Sequence, residues 1–467
     1  MESNRKERIV ENWIPQQPFV SNYNITDENF DNFEWKTPNQ IIPDLWWYVQ
    51  RAIWTGIIPQ ESIHVVSYMP SKEYLSYLSE LKWKKLDKES IVKLKDIKWT
   101  ADNIIKKISW KSFYNMNFIS SWTAQELMWV FTNSGEKFRL ENVWLEENIN
   151  CANSKSYLRH TFGSKMVKWE VLNVYDYDFR KKAKKVFNKF MQKWFYCRIR
   201  LDRSVSGVGS QTIKNEQQID ELCNLVKLDK WHLWQQILFE AFIPEIETSP
   251  SCQGYVDWNG NVEIYEYTDQ ILDDGVHQWN VILKDRQNLM NLMNKTTNQI
   301  WKKMNKELGI KGFFGADFLL IDTSKVKDIE SILWWKVDYF QEGDTTYALV
   351  LCEVNRRMTW AYASSLVNNL YPEEVWNDYV CNINTITYNC DKENSIDENF
   401  EKVQDKIILA LKKNWLLFEP WRDKWKYWVY PFSVQKGKIQ VAVVAKSQQH
   451  KEEILKSVSN VLDNIKS

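Results

Sequence analysis

Two stretches of this chain carry side chains suited to phosphate and metal chemistry. One is Leu351-Cys-Glu-Val-Asn-Arg-Arg-Met-Thr-Trp360; the other, upstream, is Gly312-Phe-Phe-Gly-Ala-Asp317-Phe-Leu-Leu-Ile321. Both run apolar or alternate like buried strands. On the first, Glu353, Asn355 and Arg357 fall at i, i+2 and i+4, so all three project to one face. Asp317 sits mid-strand, where an unpaired carboxylate is costly. Two carboxylates, an amide oxygen and a guanidinium on one face suit a hard cation carrying a polyphosphate. The chemistry implied is that of ATP with Mg²⁺. Trp360 closes the stretch where close backbone approach to phosphate calls for a glycine.

Two further segments fit the same ligand. Phe195-Tyr-Cys-Arg-Ile-Arg-Leu-Asp202 puts Arg198 and Arg200 on one strand face, and Arg203-Ser-Val-Ser-Gly-Val-Gly-Ser210 follows. From Ser204 through Gly207 and Gly209 to Ser210, this loop could offer backbone N–H groups to anionic oxygens. An ordinary hairpin loop has the same composition. In Phe239-Glu-Ala-Phe-Ile-Pro-Glu-Ile-Glu247, a strand end could meet an adenine edge and a carboxylate could accept ribose hydroxyls. A solvated acidic loop is the competing reading.

The elements that must position these residues fall into three regions. Residues 1–150 mix a buried strand at 62–69 with an amphipathic helix at 71–81 capped by Ser71, one half of an open α/β layer. Residues 151–390 hold the chemistry, with strands near 195–202, 237–242, 262–267, 313–321 and 347–354 and a helix at 286–308. A polar stretch at 389–398 reads as a linker. The tail predicts helices near 400–413 and 448–465 and a hairpin closed at Gln435-Lys-Gly-Lys438. Sheets with helices to one side suggest α+β.

Composition excludes other classes. The chain has 467 residues, with 61 basic and 61 acidic side chains, so no footprint for nucleic acid is visible. No apolar run approaches the roughly 20 residues needed to span a membrane. The seven cysteines are scattered without a Cys-x-x-Cys pair, which predicts reduced thiols and a cytoplasmic protein. The five histidines lack zinc-type spacing.

The order of the elements resembles the ATP-grasp superfamily: basic strand and Gly-rich loop, Glu-x-x-Ile-x-x-x-Glu, Gly-x-Asp-Phe, then Glu-x-Asn-x-Arg. The resemblance implies two α/β lobes holding ATP, an N-terminal pre-ATP-grasp domain (1–150), the ATP-grasp domain (151–390) and a small C-terminal α/β domain (400–467). It also implies activation of a carboxylate as an acyl phosphate and its capture by an amine. Asp317, Glu353 and Asn355 would bind Mg²⁺, and Arg357 would stabilise the transferring phosphoryl group. Arg200 falls where the family usually has a phosphate-binding lysine. Glu240 and Ile243 would face the adenine and Glu247 the ribose. Gly315 falls where D-alanine ligases carry an arginine, which argues against that branch. Thr248-Ser-Pro-Ser-Cys-Gln-Gly, Thr268-Asp-Gln-Ile-Leu, His277-Gln-Trp-Asn280 and the tail Trp428-Val-Tyr-Pro-Phe look like the pheganomycin-type peptide ligases. An ATP-grasp small-molecule kinase would carry similar metal and phosphate residues.

Tryptophan and glycine are anomalous, at 26 and 13 residues. Glycine at its average of about 7 per cent would be more than twice as common. Many of the tryptophans sit in turn-like settings that favour positive φ, which a bulky ring adopts poorly. In the resembling ligases, Trp279, Trp360, Trp415 and Trp428 fall where glycine is expected. Decoding of UGA as glycine in the native host would produce this pattern. The opposing reading is a truly Trp-rich protein that binds carbohydrate or acts as a scaffold.

Overall fold

The period-2 and period-3.6 apolar runs separate cleanly into strands and helices. The computed structural model describes residues 19–22, 63–66, 70–82, 91–93, 113–115, 140–141, 154–192, 197–202, 210–228, 236–243, 246–257, 259–273, 276–283, 285–355, 380–388, 398–419, 428–435 and 438–465. Five short strands form the first sheet: β1 (Phe19–Asn22), β2 (Ile63–Val66), β3 (Ile91–Lys93), β4 (Phe113–Asn115) and β5 (Leu140–Glu141), ordered β3-β2-β1-β4-β5. Every pairing in it is parallel, the mark of an open α/β sheet with its strand order reversing beside β1. Helix α1 (Lys72–Lys82) follows β2, and Ser71 caps it by accepting the Tyr74 N–H at 3.2 Å.

The second sheet is antiparallel, ordered β6-β9-β7-β8, from β6 (Trp169–Asn173), β7 (Cys197–Leu201), β8 (Ser210–Ile213) and β9 (Gln236–Ala241). Before it comes α2 (Lys155–Phe162); α3 (Phe179–Met191) and α4 (Glu216–Leu228) pack with it, Phe187 and Leu222 sharing a core with Ile199 and Phe239.

The third sheet has nine strands: β10 (Ser249–Val256), β11 (Val262–Asp273), β12 (Val276–Ile282), β13 (Gly312–Asp322), β14 (Asp338–Glu342), β15 (Thr345–Asn355), β16 (Val380–Thr387), β17 (Trp428–Gln435) and β18 (Lys438–Ala445). They run in the order β14-β15-β13-β10-β11-β12-β16-β18-β17. Helix α5 (Gln287–Leu308) lays Leu289, Met293, Ile300, Trp301 and Met304 against β10 and β13, and ends at Gly309, whose φ of 65° needs no Cβ. Helices α6 (Glu398–Lys413) and α7 (Gln448–Asp463) complete the C-terminal part. The expected hairpin is present, with Gln435 opposite Lys438. β16 pairs along its length with β18 but meets β12 only at Val281–Asn382. The stretch 356–379 and most of the expected linker, 389–397, lie outside the described residues.

Candidate active site

The apolar run of β15 would, by plain alternation, leave Glu353 on the same face as Leu349 and Leu351. A β-bulge prevents this. Asp317 pairs with Glu353 while Phe318 pairs with Leu351, so Cys352 is an extra residue in β15. The parity shift keeps Leu349, Leu351 and Val354 in the core under α5 and turns Glu353 and Asn355 to the opposite face, beside Asp317. That face continues in register through Ser251 and Gln253 on β10, Thr268 and Gln270 on β11, and Asn280 on β12. Core-like positions there are filled by hydroxyls and amides; Ser251, Gln253 and Thr268 are fully buried.

Asp317 is the hub of this face. Its Oδ1 accepts from Ser251 Oγ at 2.6 Å and Gln270 Nε2 at 2.8 Å, and its Oδ2 accepts from Asn355 Nδ2 at 2.7 Å. The amide oxygen is therefore the end of Asn355 that a cation would meet. Glu353 Oε2 accepts from Arg200 Nη2 at 2.6 Å, and the Lys155 ammonium lies 3.6 Å from Glu353 Oε1. These contacts join the third sheet to β7 and α2. Arg200 also faces Glu240, at 3.8 Å, and Glu240 Oε1 is gripped by Arg159 through Nε at 2.6 Å and through Nη2. Arg159 Nη2 donates as well to the Cys352 carbonyl at 3.1 Å.

Charge in this cluster is locked. Burial alone would raise the Glu240 pKa, but Arg159 and Arg200 outweigh it and hold the carboxyl below its usual range. Burial likewise opposes the Arg200 charge, and Glu353, with Glu240, overcomes it. Burial pushes the Cys352 thiol up, which suits a structural and not a nucleophilic cysteine. Two carboxylates and an amide oxygen are hard donors that match Mg²⁺ in kind. No cage of three or more His, Cys, Asp or Glu side chains occurs among the described residues.

Of the residues singled out in the sequence, Asp317, Glu353, Asn355, Arg200 and Glu240 come together here. Arg198 stands opposite Glu240 in the β7–β9 ladder. Ile243 is buried just beyond β9, in the core that backs the second sheet. Glu247 is exposed, with Lys325 Nζ 2.8 Å from its carboxylate. Ser210 opens β8, opposite Arg200. Ser204, Gly207, Gly209, Arg357 and Trp360 lie outside the described residues. Lys155 and Arg159 were not picked out by sequence reasoning. Their signal is two cations on the buried stripe of a helix, at i and i+4 with Leu158 and Phe162. Asp202 holds that helix in place: its carboxylate accepts the Ser156 N–H at 2.6 Å and the Ser154 hydroxyl at 2.9 Å.

No protein-family model matches the sequence, and no curated protein matches it. Solved structures do. An N5-carboxyaminoimidazole ribonucleotide synthetase in complex with ADP matches with a TM-score of 0.50 at 10% identity, over 96% of this chain and 97% of that one. The N5-carboxyaminoimidazole synthetase of Staphylococcus aureus, also with ADP, gives 0.49 at 10% identity over 95% and 97%. D-alanyl-alanine synthetase A of Vibrio cholerae gives 0.36 at 15% identity over 55% and 71%. A parallel α/β sheet, a small antiparallel lobe bearing cations and a large antiparallel sheet bearing carboxylates define a two-lobed, α+β class. The chain has the ATP-grasp fold.

Proposed function

We propose that this protein is an ATP-dependent carboxylate–amine ligase that forms a peptide bond through an acyl phosphate. The observation that carries the reading is the meeting of Arg200 and Lys155 with Glu353, beside Asp317 and Asn355, where the two antiparallel sheets adjoin. ATP would bind between the lobes, with the backbone at the strand end near Ile243 meeting the adenine edge and Glu247 near the ribose. Mg²⁺, held by Asp317, Glu353 and Asn355, would neutralise charge on the phosphates during in-line transfer. Arg200 carries a buried Nε–H with no acceptor among the described residues, a donor suited to a phosphate oxygen. On nucleotide binding Arg200 would pass from Glu353 to phosphate, releasing the carboxylate for the metal. Arg357 and Arg198 would add positive charge, and backbone N–H groups from Ser204 to Ser210 would meet phosphate oxygens.

The bonds balance without a protein nucleophile. An oxygen of the acid attacks the γ-phosphorus and ADP leaves; the amine nitrogen then attacks the acyl carbon, and phosphate leaves while the nitrogen gives up one proton to it. The mixed anhydride must be shielded from water.

Glu353→Gln tests the metal assignment. Mg²⁺-dependent ATP turnover should fall by about 100-fold or more, the scale of a lost transition-state charge interaction, with an unchanged circular dichroism spectrum. Turnover near that of the wild type refutes it. A screen of ADP release against amino acids and short peptides tests the reaction: ADP release that needs no amine, with a phosphorylated product, would replace ligase by kinase.

A further inference from the structure

The bulge at Cys352 is what aims Glu353, and a bulge is a costly place to leave a carbonyl unpaired. One side chain meets that carbonyl from outside the sheet. Arg159, itself 2% exposed, donates Nη2 to Cys352 O at 3.1 Å and Nε to Glu240 at 2.6 Å. It thus ties α2, β9 and the bulged strand at one point. Its grip on Glu240 leaves that carboxylate satisfied without Arg200, which lies 3.8 Å from Glu240 and 2.6 Å from Glu353.

We propose that Arg159 is a positioning residue: it holds the Cys352 bulge and so sets the direction of Glu353, the carboxylate assigned to the metal. The assignment of metal to Glu353 rests on the ligase reading above; the holding of the bulge does not. A guanidinium reaches Glu240 and the Cys352 carbonyl together because its N–H groups diverge in a plane. A lysine keeps the charge beside Glu240 but offers no such fork.

The test uses Arg159→Lys in the full chain, with three readouts. The variant should remain folded, with a single cooperative thermal transition somewhat below that of the wild type. Mn²⁺ affinity by calorimetry, in the presence of a non-hydrolysable ATP analogue, should fall about tenfold or more, as when an outer partner of a metal ligand is lost. Hydrogen–deuterium exchange should quicken in the peptide spanning β15 and not in β10 or β11. Unchanged exchange in β15 overturns the proposal, as does wild-type Mn²⁺ affinity in a wild type that binds the metal. Loss of folding in Arg159→Lys overturns it too, since the residue would then hold the fold and not the bulge. A wild type that binds neither Mn²⁺ nor the analogue removes the ligase reading, while the exchange result still judges the bulge.

Discussion

Trp415 takes the left-handed conformation, φ 61°, two residues beyond the last turn of α6. Its N–H bonds the Lys412 carbonyl and the Leu416 N–H bonds the Leu411 carbonyl. This is the pair of hydrogen bonds with which helices end on glycine. A ring there is 70% exposed and pays for a backbone that L-residues avoid by about 1–2 kcal/mol. Trp415→Gly should therefore raise stability in chemical denaturation by about 1 kcal/mol; a loss would mean that the ring's contacts outweigh the backbone. The indole N–H groups of Trp169, Trp301 and Trp334 are buried without an acceptor among the described residues. Each costs about 1–3 kcal/mol that a glycine would not carry. Trp428 stacks on Phe418 with ring centroids 4.0 Å apart. The coding sequence is the direct check at residue level: UGA is expected at 415, and UGG there ends the recoding explanation for that position.

Elements built on apolar runs were legible before any coordinates. β13 and β15 were expected at 313–321 and 347–354, and α5 at 286–308, all within a few residues of their observed bounds. Alternation placed Glu353 and Asn355 on one face correctly, because the bulge lies before both. The bulge itself was not legible, since nothing in Leu351-Cys-Glu marks Cys352 as the extra residue. Helix α2 escaped notice for a different reason: Lys155 and Arg159 on its inner stripe look like a solvated face. The polar row of β10 and β11 was legible only as motif. On the other face of β11 lies Asp269, whose pKa burial pushes up from 3.8 to about 6, against the Ser249 N–H at 3.1 Å. A carboxyl raised in this way stabilises the fold fully only below its unfolded pKa, and that contribution fades as pH climbs through about 6. Wild-type stability measured from pH 4 to pH 8 should carry this decline, and Asp269→Asn should flatten it. An identical slope in the variant would remove Asp269 as its source.

Across the whole molecule, the parallel N-terminal part is fastened to the C-terminal strands. Gln404 of α6 is fully buried; it accepts the Ser71 N–H at 2.8 Å and donates to the Val434 carbonyl at 3.0 Å. Tyr74 donates to the Pro431 carbonyl at 3.4 Å, and Tyr77 meets Tyr430 with centroids 6.2 Å apart. Gln404→Leu strands two buried backbone groups and should cost about 2–4 kcal/mol in chemical denaturation; a change below about 1 kcal/mol would mean that other groups make up the join. Ser71 and Gln404 are 333 residues apart in sequence. Protein domains commonly fold in order of synthesis, N-terminal part first. Here α1 carries its own Ser71 cap, but it meets Gln404, Pro431 and Tyr430 only after the segment that includes β17 has left the ribosome. The growing chain thus carries one side of α1 uncovered while some 333 further residues are added, and the polypeptide closes on itself only when α6 and β17 arrive.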